Sequence, residues 1–494
     1  MARATRITTQ HSNEVIVRFA EPAFTALIEL LERRYPDEEA ATFLRFGWRE
    51  NEHQLVLTLA EIERPRLLEL DNEVAHVAID EAYTLRMALA ADSNPLAIGV
   101  AHSHPVSCPP IPSSIDDDMD SYYGAYFGDF APGRPYVSLI TSRMNGDLAI
   151  SGRVFWRGGW HVVRRILAAA TPLRQWTGGA KPRIETLPTR ITRVQSAFGL
   201  EAIQRLRRST VAVVGAGGTG SAVIETLARG GVGSIIVVDP DFIEDSNLER
   251  IHGAFPRHVQ SRRSKVSIAK EHVEEIDRDC HVVSLRGSLP QGKVVDAVIT
   301  ADVMIGCTDQ QHSRLALSDI CTRYLVPTID CGVALEGRSG HVSGQIIQLL
   351  RFLPSDPCAY CRRLTNPSRV SQELMSADER EARRRAAKAA TSRGDDSTPY
   401  WHDEPQLNTV GYLTTIAGAL AASYAIGWLT GRFTPPFTRL QMNIVAPLLD
   451  VTDVDDRPDG DCVCRRIHGW ADQALADAFV TAPDHWPPAE VEPD

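Results

Sequence analysis

The chain has 494 residues, 43% hydrophobic and 23% charged, with a formal net charge of -11. That length supplies two or three domains with cores of their own, the composition is that of a globular protein, and the acidic balance argues against nucleic acid as the main partner. The N-terminus lacks the apolar core of a secretory signal, and the best candidate span, Ile416 to Leu429, is short and reads as a buried helix, so the expectation is a cytoplasmic protein with no membrane contact.

In chain order, residues 14 to 34 read as a strand leading into an amphipathic helix. YPDEEAATFLRFG follows, then strand-like QLVLTLAEIERP, a helix around Asp80 to Ala91, and an apolar strand from Pro95 to Ala101. That strand delivers His102 and His104. Side chains two apart in an extended segment share a face, so two imidazoles can meet one metal. Asp116, in PSSID, adds a carboxylate. Two His and one Asp leave one tetrahedral position open for water, the pattern of a catalytic zinc site. Residues 95 to 116 resemble the JAB/MPN metalloprotease family in HSHP and in the SxxD of Ser113 to Asp116, with one extra residue between His104 and Ser113. The resemblance implies a catalytic Zn²⁺ on His102, His104 and Asp116, a general base at Glu39 (Glu38 is the alternative), and an oxyanion donor at Ser113. Two more strands, Tyr136 to Thr141 and Gly146 to Trp156, complete a domain over 1–167. Residues 168–190, rich in Pro, Gly and Thr, read as a linker.

The second domain is organised around residues 210 to 250. An apolar run, Thr210 to Val214, meets the glycines Gly215, Gly217, Gly218 and Gly220. A helical stretch follows, then a second apolar run, Ser234 to Val238, ending at Asp239. Strand, glycine turn, helix, strand and acid make a dinucleotide-type βαβ unit. The glycines let the backbone approach a phosphate at the helix N-terminus. With Asp239 and Asp241, Ser246 to Arg250 as SNLxR, Lys265, and Cys307 to Asp309 as CTD, the chain resembles the ubiquitin-activating-enzyme family in its bacterial MoeB/ThiF form, over roughly residues 185 to 470. The resemblance implies ATP with Asp239 on the ribose, Asn247, Arg250 and Lys265 on the phosphates, and Mg²⁺ on Asp309. Arg250 and Asp309 then also act in catalysis, on charge developing at the phosphates. Gln310 departs from the family's usual Asn. Arg193 matches an arginine lent across a homodimer to the partner's ATP.

Nine cysteines include two close pairs, Cys358 with Cys361 and Cys462 with Cys464. Paired thiols in a reducing compartment point to metal rather than disulfides, and the resemblance implies a structural four-thiolate zinc. The crossover segment, 365–406, is where activating-enzyme relatives place an acceptor cysteine. It contains none. Cys331 reads as a buried strand end, and buried thiols are usually inert. Direct attack on the adenylate is favoured over an oxyester on a hydroxyl of this segment, for which His402 is the candidate base. Residues 478–494 read as a disordered acidic tail.

The expected fold class is α/β: an N-terminal JAB/MPN α/β metalloprotease domain, then a doubly wound, Rossmann-like ThiF adenylation domain over 191–477. The expected function is bifunctional. The chain would adenylate the C-terminal glycine of a ubiquitin-like β-grasp partner and hydrolyse its precursor or conjugates, in a bacterial conjugation system with a conjugating enzyme as a further partner. The alternatives are activation and processing of a sulfur-carrier protein for thiocarboxylate biosynthesis, and a scaffold that binds a β-grasp protein with a dead metal site.

Overall fold

The computed structural model describes residues 9–10, 14–72, 77–105, 107–178, 188–338, 340–398, 400–401, 409–445, 448–452 and 460–492. The first sheet has ten described strands. In space they run Thr9–Gln10, Gly159–Val162, Asp147–Trp156, Tyr136–Met144, Ala97–Ser103, Ala41–Glu50, Gln54–Glu63, Glu14–Ala20, Arg165–Ala169, Arg174–Thr177. Strand Ala97–Ser103 is buried at every position. It reads as a continuous apolar run because both faces of the sheet are covered. Helix Glu21–Leu31 seats Phe24, Leu27 and Leu31 on one face. Helices Glu81–Ser93 and Ser114–Phe130 cover the other, around Phe43, Tyr83, Tyr123 and Phe127.

The expected linker begins too early. Arg165–Ala169 pairs with Glu14–Ala20 and Arg174–Thr177 pairs back on it. The Thr171-Pro172 turn drew the composition toward a linker, but the flanking Leu167, Ala168 and Leu173 are buried in the core. Residues 179–187 of that stretch lie outside the described residues.

The second sheet has nine described strands: Leu448–Thr452, Arg439–Asn443, His341–Phe352, Thr328–Arg338, Val303–Gly306, Thr210–Val214, Ser234–Val238, His281–Arg286, Glu490–Val491. The run from Thr328–Arg338 to His281–Arg286 is parallel. Parallel strands need crossovers, and helices Gly218–Gly230, Lys265–Ile276, Gly292–Val298 and Gln311–Tyr324 lie between them in the chain. Helix Gly411–Thr430 is long and apolar enough to span a membrane by length and composition. It packs on Gly218–Gly230 instead, burying Leu413, Ala417, Ala421, Ala425 and Trp428. The approach is close: a Cβ on Gly418 would stand 2.5 Å from the Thr219 carbonyl oxygen.

The tail corrects a second expectation. Glu490–Val491 adds to the sheet edge, antiparallel to His281–Arg286. Glu490 and Glu492 pair with Arg286, and Ala489 is buried. Acidic, Pro-rich composition suggested disorder. Backbone pairing and one complementary arginine override it.

The two sheets share a core. Ile16, Val56 and Leu167 of the first pack with Met304 of the second, with Leu315 and Ile320 of helix Gln311–Tyr324, and with Ala471. Arg18, only 1% exposed, donates to the carbonyls of Ile299 and Ala301. Burial and the neighbouring Arg165 push its pKa down to about 9. Arg49 binds Asp296 at 2.7 Å and Asp472 at 3.0 Å. Gly47 admits no side chain, since a Cβ there would stand 2.3 Å from the Trp470 backbone. Ala41, paired with His102, lies at the other end of the same strand, about 20 Å away. Strands Thr210–Val214 and Val303–Gly306 likewise meet the interface at their N-terminal ends, through Thr210 and Asp302.

Candidate active sites

The larger cavity, about 360 Å³, opens at the C-terminal ends of the parallel strands. Gly215 has φ +98°, and a Cβ there would stand 2.8 Å from the Cys307 carbonyl oxygen. A Cβ on Gly220 would stand 1.8 Å from the Gly215 oxygen. Gly217 caps the helix starting at Gly218 and faces open space. Backbone amides at that helix start form a cradle for phosphate. Asp239 lies just past its strand, 5% exposed, accepting from the Ala216 amide at 2.7 Å and the Asp241 amide at 2.9 Å. Burial raises its pKa, with Lys265 pulling the other way. Lys265 opens its helix and binds Asp241 at 2.6 Å. Arg250 lines the cavity, as does exposed Asp309.

Asn247 does not line it. Its side-chain oxygen accepts from the Glu244 amide at 3.2 Å, which builds the turn that leads to Arg250. Sequence reasoning missed two cations on the cavity wall. Arg314 pairs with buried Asp330 at 2.8 Å, and Arg369, from helix Pro367–Leu374, pairs with Glu373 at 3.1 Å. Arg314 sits five residues after Asp309, a spacing visible in the sequence. Nothing local marks Arg369. A glycine cradle, a helix N-terminus, four cations and the acids Asp239, Asp241 and Asp309 fit a nucleoside triphosphate with a divalent metal.

The second site lies where strand Ala97–Ser103 ends. His102 Nε2 is 3.2 Å from His104 Nε2 and 3.0 Å from Asp116 Oδ1, and His104 Nε2 is 3.6 Å from Asp116 Oδ2. Ligands about 2.0–2.1 Å from one tetrahedral zinc stand about 3.4 Å apart, so the set fits. Burial opposes the charged form of His102, but Asp116 outweighs it and raises the pKa, with Asp120 and Glu39 contributing. Glu38 instead pairs with Arg34 on its own segment. Ser103, facing away from the histidines, donates to the Leu31 carbonyl and accepts from the Ala40 amide, which holds the Glu39 segment against the strand. No motif marks that strut. Ser113 caps helix Ser114–Phe130: its Oγ accepts from the Asp116 amide at 3.2 Å, and Asp116 Oδ2 accepts from the Ser113 amide at 2.6 Å. A hydroxyl that accepts still has its proton to donate. Arg153 anchors the same helix through Asp117, Asp120 and the Asp116 carbonyl.

The four thiols Cys358, Cys361, Cys462 and Cys464 form a third cluster. Cys358 Sγ is 3.6 Å from both Cys361 and Cys462, and Cys361 is 3.8 Å from Cys464. Four thiolates about 2.3 Å from a tetrahedral zinc stand about 3.8 Å apart. The thiols titrate as one coupled set: hydrogen bonding from Cys464 lowers Cys358, while burial raises Cys462 and the bond to Cys358 raises Cys464.

Arg193 is exposed on helix Thr192–Phe198 and does not line the cavity of its own chain. Cys331, 1% exposed, has its pKa pushed far up by burial and turns its thiol to the Ala417 carbonyl. In the crossover segment, Ser376 caps helix Ala377–Arg393, and Thr391 and Ser392 bond back to carbonyls within that helix. His402 lies outside the described residues.

The model of the ThiF family matches residues 190–464, more than half the chain, and a model described as prokaryotic homologs of the JAB domain matches residues 20–157. Ubiquitin-like modifier-activating enzyme 5 of Aedes aegypti is 27% identical over 186 residues, 33% of this chain and 46% of that protein. SAMP-activating enzyme E1 of Haloferax volcanii is 30% identical over 168 residues, 34% of this chain and 58% of that protein. Adenylyltransferase and sulfurtransferase MOCS3-1 of Zea mays is 31% identical over 174 residues, 34% of this chain and 36% of that protein. The chain thus spans between 36% and 58% of the length of these relatives. Among solved structures, E. coli MccB aligns with a TM-score of 0.43 at 18% identity, over 58% of this chain and 74% of that one. The chain belongs to the ThiF family, with a prokaryotic JAB domain fused ahead of it.

Proposed function

We propose that the chain adenylates the C-terminal glycine of a ubiquitin-like β-grasp protein and hydrolyses amide bonds made by that terminus, in a bacterial conjugation system. The observation that carries the first activity is the glycine cradle closed by Arg250, Lys265 and Asp309. The partner's carboxylate oxygen attacks the α-phosphorus, and pyrophosphate leaves. Asp239 holds the ribose. Arg250 and Lys265 neutralise charge on the phosphates, and Asp309 would hold the accompanying Mg²⁺. Arg193 reaches the site only from a second copy, which makes the working unit a homodimer. In ATP–pyrophosphate exchange with the cognate partner, Asp309→Ala should abolish the signal, and its persistence would remove Asp309 from the metal site.

His102, His104 and Asp116 would hold zinc, whose contribution is to acidify a water to a pKa of about 7. Glu39 takes the water's proton and returns it to the leaving amine. Ser113 donates to the developing oxyanion. Residues 365–406 contain no thiol and Cys331 is buried, so the adenylate passes directly to a nucleophile on another protein. After incubation with partner and ATP and a denaturing quench, no covalent adduct should remain on the chain. A thiol-labile adduct at Cys331 would restore the thioester route. The missing thiol and the similarity to the Zea mays adenylyltransferase and sulfurtransferase also support a second reading, activation of a sulfur carrier, which predicts a thiocarboxylate product when sulfide is supplied.

A further inference from the structure

A second cavity, about 210 Å³, adjoins the nucleotide pocket and shares Pro240, Gly287, Ser288 and Gln310 with it. Its outer wall is the C-terminal stretch Trp486, Pro487 and Pro488. That stretch is fastened at both ends. Downstream, Glu490–Val491 pairs with the sheet edge, and the Glu492 amide donates to the Ser284 carbonyl at 2.9 Å. Upstream, Trp486 packs edge to face on His312, ring centroids 5.2 Å apart at 60°. Gln291 ties the strap to the opposite wall, donating to the Pro487 carbonyl at 2.6 Å and accepting from the Ser288 amide at 2.8 Å.

This inference rests on the adenylation reading above, with phosphates over Gly215 to Gly220 and the ribose on Asp239. The base must then leave the ribose on the side away from the phosphates. Past Asp239 the next walls are Pro240, Gly287 to Leu289 and Gln310, and beyond them lies this second cavity. It offers what a purine needs: flat apolar faces on Trp486 and the prolines, and polar groups at the rim. His312 is 2% exposed on this wall, and its Nε2 has no hydrogen-bond partner among the described residues, while its Nδ1 meets Glu373 at 3.0 Å.

We propose that the C-terminal strap from Trp486 to Val491 completes the site for the base of the nucleotide, with Trp486 as the face on which the purine stacks. The strap is then a specificity element. It recognises the base and leaves the phosphate cradle untouched.

The test measures binding of ATP and of inorganic tripolyphosphate to the full chain by calorimetry. Trp486→Leu keeps an apolar side chain against His312 but removes the aromatic face. Stacking of a base on an aromatic ring is worth about 1–3 kcal/mol, so ATP should bind about tenfold more weakly, with tripolyphosphate unchanged. Trp486→Phe should restore most of the loss. In pyrophosphate exchange, Trp486→Leu should raise KM for ATP with little change in kcat. Unchanged ATP binding in Trp486→Leu would overturn the proposal, and so would an equal loss for ATP and tripolyphosphate, which marks a merely structural strap. A wild-type chain that binds no ATP would instead overturn the adenylation reading itself.

Discussion

Among the described residues there are two clusters of metal-ligand atoms whose spacing suits zinc, and their surroundings differ. At His102, His104 and Asp116 there are three ligands of mixed type on a strand end and a helix start, with exposed Ser113 bonded to Asp116. One position stays open. At Cys358, Cys361, Cys462 and Cys464 there are four thiols from segments about a hundred residues apart, and the set is closed. Open three-ligand sites do chemistry, and closed thiolate sites hold structure. The second cluster also has a position to defend. Cys464 lies a few residues before Gly469 to Asp472, the segment that meets Gly47, Thr58 and Arg49 of the first sheet. The closed cluster therefore steadies the stretch that joins the two domains, while the open one lies at the far end of its strand, away from the joint.

That contrast can be broken most forcefully by mutation. Cys462→Ser should lower Tm by about 10 °C or more, because binding at a closed site is folding energy and ~1 kcal/mol moves a domain of this size by about 2–4 °C. His102→Ala should cost a few degrees at most and abolish hydrolysis. Equal thermal losses in the two variants would erase the distinction. A step smaller, Glu39→Gln should reduce hydrolysis by about 10²–10⁴-fold with zinc still bound by elemental analysis, and loss of the metal would make Glu39 a ligand rather than a base.

The smallest effect is electrostatic. Burial pushes Glu373 up, but hydrogen bonds from the His312 ring and from the His312 and Gln311 amides outweigh it, and the carboxyl sits below its ordinary value. A lowered carboxyl stabilises the fold above its unfolded pKa, about 4.3, and that stability is lost as pH falls through the folded value. The Tm gap between wild type and Glu373→Gln should be widest near pH 6 and shrink toward pH 3. A gap that stays constant with pH would show that Glu373 acts by packing alone.

What could be read in the sequence follows the distance between the parts of each site. His102, His104, Ser113 and Asp116 lie within fifteen residues, so one motif exposes them. Gly215 to Asp239 is one supersecondary unit and equally legible. Arg369 and Trp486 were not, because tertiary docking alone brings a crossover helix and a C-terminal strap to the pocket rim. Composition misled in the same way at both ends of the second domain. A Pro-rich, acidic tail looks unstructured until Arg286 and a free sheet edge are in view, and Leu167 looks like the edge of a linker until its partner strand is. Asn247 caps the turn that leads to Arg250, a contact the motif did not reveal, since a capping amide and a ligand amide look alike in sequence.

The most direct measurement follows the full chain acting on a β-grasp protein that carries an amide-linked extension past its terminal glycine, first without ATP and then with it. The extension should be removed without ATP in a zinc-dependent step, and pyrophosphate should be released only from the trimmed protein. Glu39→Gln should leave the extended protein intact and silent, yet release pyrophosphate at the wild-type rate from partner trimmed in advance. Pyrophosphate released from the extended protein, or silence toward the trimmed one, would contradict the account.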